Sequence, residues 1–353
     1  MWIDKHTVTF EQSDMNFIQK FGIMEATDMI LKHVSEHQIS FIYDTNQLSR
    51  FLGIRKKDMF RLIKHVDSEY RALSIKKKNG KLRQLYVPKS KLKECQTRIL
   101  CMILSQLPVS QYATAYRKGG TLSLNAQPHI GKKYLLKLDI SDFFGSIDFE
   151  RVYCTAFHTK YFPKQIGVML TSLCCRKNTL PQGAPTSPAL SNLVMRNFDE
   201  SIGRWCKNHE INYTRYSDDM TFSSDKPLFT VYQKVKEMLN QMGMELNETK
   251  THFVTNASRQ SVTGLTVNEK VSVSKEYKRK LRQELYYVFK FGPKEHLKKM
   301  NQECFLVDGK PNTVSYYYNL CGRVSFVLQI EPDNLWFQKA AHQLRTSMGI
   351  FFR

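Results

Sequence analysis

Between Tyr213 and Ser223 the chain reads YTRYSDDMTFS, in which aromatic and β-branched residues alternate with polar ones on either side of two adjacent aspartates, Asp218 and Asp219. Period-two alternation around a short polar centre predicts a tight β-hairpin with the acidic pair at its tip. On its own such a pair is ordinary turn chemistry, because aspartate favours turns. What it means depends on the carboxylates and cations that the rest of the chain brings to it.

A third carboxylate stands on a neighbouring strand signal. Tyr134 to Ile140 (YLLKLDI) reads as a buried strand, with Leu136, Leu138 and Ile140 on one face and Leu135, Lys137 and Asp139 on the other. A lone buried carboxylate is strongly disfavoured, so Asp139 is expected at an opening, where it is paired, solvated or bound to a cation. The next residues, Ser141 to Gly145, turn the chain, and Asp148 is expected to cap a helix through Val152, Ala156 and Phe157. Leu180 to Pro188 (LPQGAPTSP) reads as a loop feeding a helix, with Ser187 as N-cap, Pro188 at the first helical position and Leu190 to Trp205 in helical period. Gly183 would let a ligand approach the backbone beside Gln182, at a helix start where free amides favour anions.

Charge narrows the partner. Lys and Arg total 53 against 32 acidic residues, a formal net charge of +21 on 353 residues, which implies a polyanion: nucleic acid or an anionic membrane surface. No run of about 18 apolar residues exists to span a bilayer, and Met1 to Gln12 lacks the apolar core of a signal peptide, so membrane association is not expected. The eight cysteines form no CxxC, and no His pair at zinc spacing joins them; they read as reduced core residues of a cytoplasmic protein.

The cations cluster in two places. Lys76 to Arg98 has nine basic residues and one acidic, with Asn79-Gly80 as a hairpin turn between strands ending at Pro88. This run is either a solvated face or, through Lys76, Lys81 and Arg83, a set of cations held over a cleft for phosphate. Ser274 to Met300 mixes basic residues with Tyr277, Tyr286, Tyr287 and Phe289 at helical spacing, which suits either core packing or a nucleic-acid groove. Elsewhere the periodicity predicts a helix over Met24 to Val34, two short helices from Thr45 to Val66, a helix over Leu228 to Met242 and a strand-turn-strand region over Thr251 to Val273. The length suggests two or three tightly joined lobes.

Asp139 and the acidic pair can converge in an antiparallel sheet, where their oxygens suit two Mg²⁺ ions clamping an in-line phosphoryl displacement. LDISDFF, LPQGAPTSP and YSDD, in this order and spacing, resemble the three palm motifs of reverse transcriptases. The resemblance implies an α+β right-hand polymerase fold. Its parts would be an N-terminal extension (1–44), helical and hairpin fingers (45–130, joined by 151–180), an antiparallel-sheet palm (131–273) and a helical thumb with a C-terminal RNA-binding region (274–353). It also implies that Asp139, Asp218 and Asp219 are the catalytic, metal-binding aspartates and that Lys250 assists the leaving pyrophosphate. Phe144 would be the aromatic gate against a ribose 2′-OH, Gln182 with Gly183 and Asp142 would meet the incoming dNTP, and Lys76 and Arg83 would hold its triphosphate.

Asn125-Ala126-Gln127-Pro128-His129 matches the NAxxH signature, and Val262-Thr263-Gly264 the VTG signature, of bacterial retron reverse transcriptases. That closer resemblance implies RNA contacts by Asn125, His129, Lys278, Arg279 and Arg282. It further implies a cognate noncoding RNA of msr-msd type, priming from an RNA 2′-OH and a branched RNA–DNA hybrid product containing single-stranded DNA. An accessory effector protein in antiphage defence would complete the system. Two alternatives stand beside it: an intron-derived or abortive-infection reverse transcriptase, and a non-catalytic RNA-binding module. The lack of a maturase-like extension before Arg353 disfavours an intron-encoded protein, and the set Asp139, Asp218, Asp219, Phe144 and Gln182 disfavours pure binding. Ser217 stands where retron enzymes commonly carry alanine.

Overall fold

Periodicity over Thr45 to Val66 resolves into helices α1 (Thr45–Leu52) and α2 (Lys56–Lys64), which bury Leu48, Leu52, Met59 and Leu62. Asp44 starts the first by accepting from Gln47 N at 2.7 Å, satisfying one of the free amides of a helix N-terminus. This computed structural model describes residues 42–76, 80, 82–300, 305–307 and 310–351. The helix expected over Met24 to Val34, nearly all of the 1–44 extension, Asn79 and Lys81 therefore lie outside the described residues.

Strands β1 (Tyr70–Lys76) and β2 (Leu82–Pro88) pair antiparallel with Lys76 opposite Leu82. Five residues separate them, and the expected Asn79-Gly80 turn falls in this stretch, of which only Gly80 is described. The second half of the basic run is helix α3 (Ser90–Met102), whose Leu92, Cys95 and Ile99 are buried while Lys91, Lys93 and Arg98 face solvent. For that half the solvated-face reading holds.

The described residues fall into two compact units. One draws on Met1–Gly120, Lys137–Met220 and Phe229–His252, the other on Thr121–Leu136, Thr221–Leu228 and Phe253–Arg353. A four-stranded sheet of β3 (Tyr134–Asp139), β4 (Asn212–Tyr216), β5 (Asp219–Ser224) and β6 (His252–Thr255) runs in the order β4-β5-β3-β6.

In the first unit, Asp148 caps α4 (Phe149–Ala156) by accepting from Arg151 N at 2.9 Å, as expected. It is followed by α5 (Lys164–Cys174), α6 (Ser187–Val194), α7 (Arg196–Asn208) and α8 (Phe229–Gln241). The single helix expected through Leu190 to Trp205 is broken at Met195, which separates α6 from α7. Ser187 is not the N-cap: Thr186 precedes the helix, and Ser187 Oγ instead donates to Pro181 O at 2.8 Å, tying the loop to its helix.

In the second unit, short strands β7 (Ser261–Val262), β8 (Leu265–Thr266) and β9 (Ser272–Val273) form an antiparallel sheet. Helices α9 (Lys275–Phe291), α10 (Pro293–Met300), α11 (Thr313–Ile330) and α12 (Leu335–Phe351) follow. The basic aromatic helix expected over Ser274 to Met300 is interrupted at Gly292, whose φ of 83° only glycine adopts readily. Leu281 and Leu285 of α9, Leu320 and Val324 of α11, and Phe337 and Leu344 of α12 close one apolar core. Each such side chain contributes about 2 kcal/mol by leaving water. Tyr277 and Phe289 pack on that core, whereas Tyr286 and Tyr287 stay exposed.

Mixed helices and antiparallel strands make the chain α+β, as the sequence implied. Among the described residues no helix is long and apolar enough to cross a membrane, and the described cysteines are free, with Cys95, Cys174, Cys175 and Cys206 buried.

Candidate active site

Asp139 is the last residue of β3, and the hairpin of β4 and β5 comes to it through the backbone: Ile140 N donates to Asp218 O at 3.2 Å. Ser217 and Asp218 form a two-residue turn, with Ser217 in the left-handed region at φ 63°. Asp218 therefore stands at the tip, while Asp219 is one step back as the first residue of β5. On the other side Asn247 N donates to Asp139 O at 2.8 Å. That contact places the turn Glu248–Lys250 against the strand end.

Lys250 Nζ donates to both carboxylate oxygens of Asp139 at 2.8 Å. Asp139, only 5% exposed, thus has the partner that its burial demands. Burial first, then the negative charges of Asp218 and Asp139, push the Asp219 carboxyl up to about 6. Burial opposes the charge on Lys250, but its hydrogen bonds to Asp139 and the surrounding carboxylates raise it above the usual lysine value.

A cavity of about 750 Å³ opens beside these groups, lined by Asp139, Asp218, Asn247 and Lys250 and also by a cationic wall that includes Arg83, Arg176 and Lys177. In that wall Arg83 Nε donates to Gln182 Oε1 at 2.8 Å, and Tyr86 N donates to Gln182 O at 2.6 Å. The Arg176 guanidinium lies 3.8 Å from the centre of the Tyr86 ring. Arg176 and Lys177 belong to a tight turn closed by reciprocal Arg176–Thr179 backbone bonds, with Lys177 and Asn178 both at positive φ.

Not every expected residue reaches this cavity. Asp139, Asp218, Asp142, Gln182, Arg83 and Lys250 line it, whereas Asp219, half-buried Phe144, and the exposed Lys76 and Gly183 do not. Asp142 sits at φ 40° with its carboxylate folded over Gly145. Phe144 is half-buried against Phe143, with ring centres 5.4 Å apart. Gly183 has a protein reason of its own: at φ 117° a Cβ would meet Tyr86 O at 2.9 Å.

The expected RNA contacts also need correction. Asn125 and His129 are buried inside the second unit, where Asn125 Nδ2 donates to Thr263 Oγ1 at 3.4 Å and His129 Nδ1 pairs with Ser223 Oγ at 2.7 Å. The two signature segments thus meet each other through Asn125 and Thr263, and of their residues Gln127, Pro128 and Gly264 are the exposed ones. Lys278 is held by Glu331 at 2.7 and 2.9 Å, and Arg282 lies over the rings of Trp336 and Phe337. Arg279 remains exposed.

Sequence reasoning missed Arg176, Lys177, Tyr86 and Asn247 in the cavity lining. The adjacent pair Arg176-Lys177 just ahead of the LPQG loop was the available signal for the first two.

Among the described residues no three His, Cys, Asp or Glu side chains are arranged to hold a metal ion as they stand; Lys250 lies on Asp139 instead. The donors are nonetheless all carboxylate oxygens, the chemistry of hard divalent cations. Asp219, raised by burial first, is raised further by the charges of Asp218 and Asp139, which a cation would offset. The residues fit a divalent cation.

Residues 75–283 match the family model described as reverse transcriptase (RNA-dependent DNA polymerase). The chain is 32% identical over 272 residues to the Retron Ec86 reverse transcriptase of Escherichia coli, covering 75% of this chain and 85% of that protein. It is 32% identical over 281 residues to the Retron Ec83 reverse transcriptase of Escherichia coli, covering 75% and 84%. Against the Retron Mx65 reverse transcriptase of Myxococcus xanthus it is 33% identical over 240 residues, 62% of this chain and 55% of that one.

Proposed function

The chain belongs to the retron-type reverse transcriptases and is an RNA-directed DNA polymerase, and from that premise we propose that nucleotidyl transfer occurs at the carboxylates of the cavity. An RNA template and deoxynucleoside triphosphates are the substrates of such an enzyme. The observation that carries the site assignment is the convergence of Asp139 and the Asp218 turn, through the Ile140–Asp218 backbone bond, in one cavity with Arg83 and Arg176.

Asp139, Asp218 and Asp219 would hold the divalent cations, two Mg²⁺ ions in this reading. Bound there, the cations would neutralise charge on the attacking and leaving oxygens of an in-line displacement. The protein's own part is positioning. Arg83, braced by Gln182, and Arg176, stacked on Tyr86, grip the triphosphate with Lys177 beside them. Lys250, already donating to Asp139, is placed to give a hydrogen bond or proton to the departing pyrophosphate. Phe144, packed on Phe143, screens the sugar.

In this reading 45–130 with 151–180 act as fingers, 131–273 as palm and 274–353 as thumb and RNA-binding region. The template is a cognate msr-msd-type RNA, primed from its own 2′-OH, and the product serves an antiphage system with an accessory effector. The retron names of the relatives support this.

The test is to purify the full chain with the RNA transcribed beside its gene, sequence the bound nucleic acid and treat it with a 2′,5′-debranching enzyme. Single-stranded DNA whose mobility changes on debranching is expected. DNA that is unaltered by the treatment overturns the branched-primer reading, and bound RNA with no DNA overturns synthesis on that RNA.

A further inference from the structure

The hairpin that carries Asp218 is held from inside by an ion pair sealed from water. Arg215 of β4 and Asp199 of α7 are both 0% exposed. Arg215 Nε donates to Asp199 Oδ1 at 2.8 Å and Nη2 to Oδ2 at 2.6 Å, while Tyr213 OH also donates to Oδ1 at 2.8 Å. The remaining arm, Nη1, donates to Ser217 O at 2.9 Å. Ser217 is the residue before Asp218 and the one at φ 63°.

We propose that Arg215 is a positioning residue of the polymerase site: it fixes the Ser217 carbonyl and so sets the turn that aims the Asp218 carboxylate, and Asp199 keeps the guanidinium in place. The proposal rests on the reading that Asp218 and Asp219 are catalytic.

Three observations lead to it. A left-handed φ is unfavourable for serine, whose side chain offers none of the freedom of glycine, so the turn is held by its contacts rather than by its own preference. Arg215 is itself tied down at its backbone, because its N donates to Tyr112 O at 2.8 Å and its O accepts from Thr114 N at 2.8 Å. Finally, a buried ion pair is a poor device for stability alone, since apolar residues of similar size serve as well. A planar fork that can hold a carboxylate on one side and a carbonyl on the other is specific to arginine. From Ser217 the restraint passes directly to Asp218, whose O accepts from Ile140 N next to Asp139.

The experiment compares the full chain with the double variant Arg215→Met/Asp199→Leu, with Arg215→Lys and with Asp218→Ala. Thermal melting, RNA affinity, steady-state kinetics and Tb³⁺ luminescence titration are measured on each. The double variant should melt cooperatively and bind RNA as the parent does. Its kcat should fall about 100-fold while KM for dNTP moves no more than about twofold, the signature of a misplaced reacting group. Tb³⁺ affinity should fall in parallel.

Unchanged kcat and Tb³⁺ affinity in the double variant would show that the ion pair only stabilises the fold, overturning the proposal. Arg215→Lys decides where the double variant does not fold: lost kcat at parental melting temperature supports the proposal, and unchanged kcat overturns it. Synthesis surviving Asp218→Ala overturns the reading beneath it. Synthesis lost in Asp218→Ala but intact in the double variant overturns the role of Arg215 alone.

Discussion

Lys250 Nζ lies 2.8 Å from each carboxylate oxygen of Asp139, the residue expected to hold a cation. The ammonium therefore both compensates a buried carboxylate and competes for its oxygens. Lys250→Met should bind Tb³⁺ more tightly than the parent yet synthesise DNA more slowly, by roughly 100-fold if the lysine hands a proton to pyrophosphate. Stability should fall by about 3 kcal/mol, because the Lys250 side chain is itself 57% exposed but that of Asp139, 6% exposed, is left as a buried carboxylate without its cation. Parental kcat would remove Lys250 from the chemistry.

Phe144 does not line the cavity, and its ring rests on Phe143. If it screens the sugar in the substrate complex, Phe144→Ala should raise incorporation of ribonucleotides relative to deoxyribonucleotides by roughly tenfold or more, since steric exclusion of one hydroxyl is the whole discrimination. Competitive incorporation on one template measures this. Unchanged sugar preference would transfer the role to another part of the wall.

His129 gives a pH test away from the cavity. Burial pushes its imidazole down to about 3, against an unfolded value of about 6.5. The folded state thus requires the neutral ring, and the stability this represents is complete above about pH 6.5 and is lost as pH falls toward 3. At pH 5 the loss attributable to this group should be about 2 kcal/mol. His129→Gln should be less stable near pH 7.5, having lost the Ser223 bond, but should show a shallower decline on acidification in denaturant titrations. A parallel decline would mean that other groups govern acid unfolding.

The acidic hairpin and the Asp139 strand were legible because each is a local pattern: period-two alternation and turn chemistry report on neighbours in sequence. The break at Met195 was not, since no proline or glycine marks it and helical period continues on both sides. Thr186 and Ser187 are both capping residues, so composition could not choose between them. Arg176 acquires its place by stacking on Tyr86, and Asn125 and His129 lose their surface to Thr263 and Ser223. Those are contacts between distant parts of the chain, and periodicity carries no information about them.

The same distinction separates three cations of α9 that the sequence presented as equivalent. Lys278 is paired with Glu331, with side chains 15% and 13% exposed, and Glu331 also accepts from Val273 N. Arg282 is spent on the rings of Trp336 and Phe337, while Arg279 faces solvent. Lys278→Glu should therefore lose stability, on the order of 2 kcal/mol, through an uncompensated and partly buried carboxylate pair. Arg279→Glu should leave melting unchanged. If α9 meets the RNA, Arg279→Glu should weaken binding and make the slope of log affinity against log salt shallower by about one unit, the release of one counterion. Binding isotherms at several salt concentrations check both variants: a parental slope in Arg279→Glu would exclude this face of α9 from the RNA interface, whatever Lys278→Glu does to the fold.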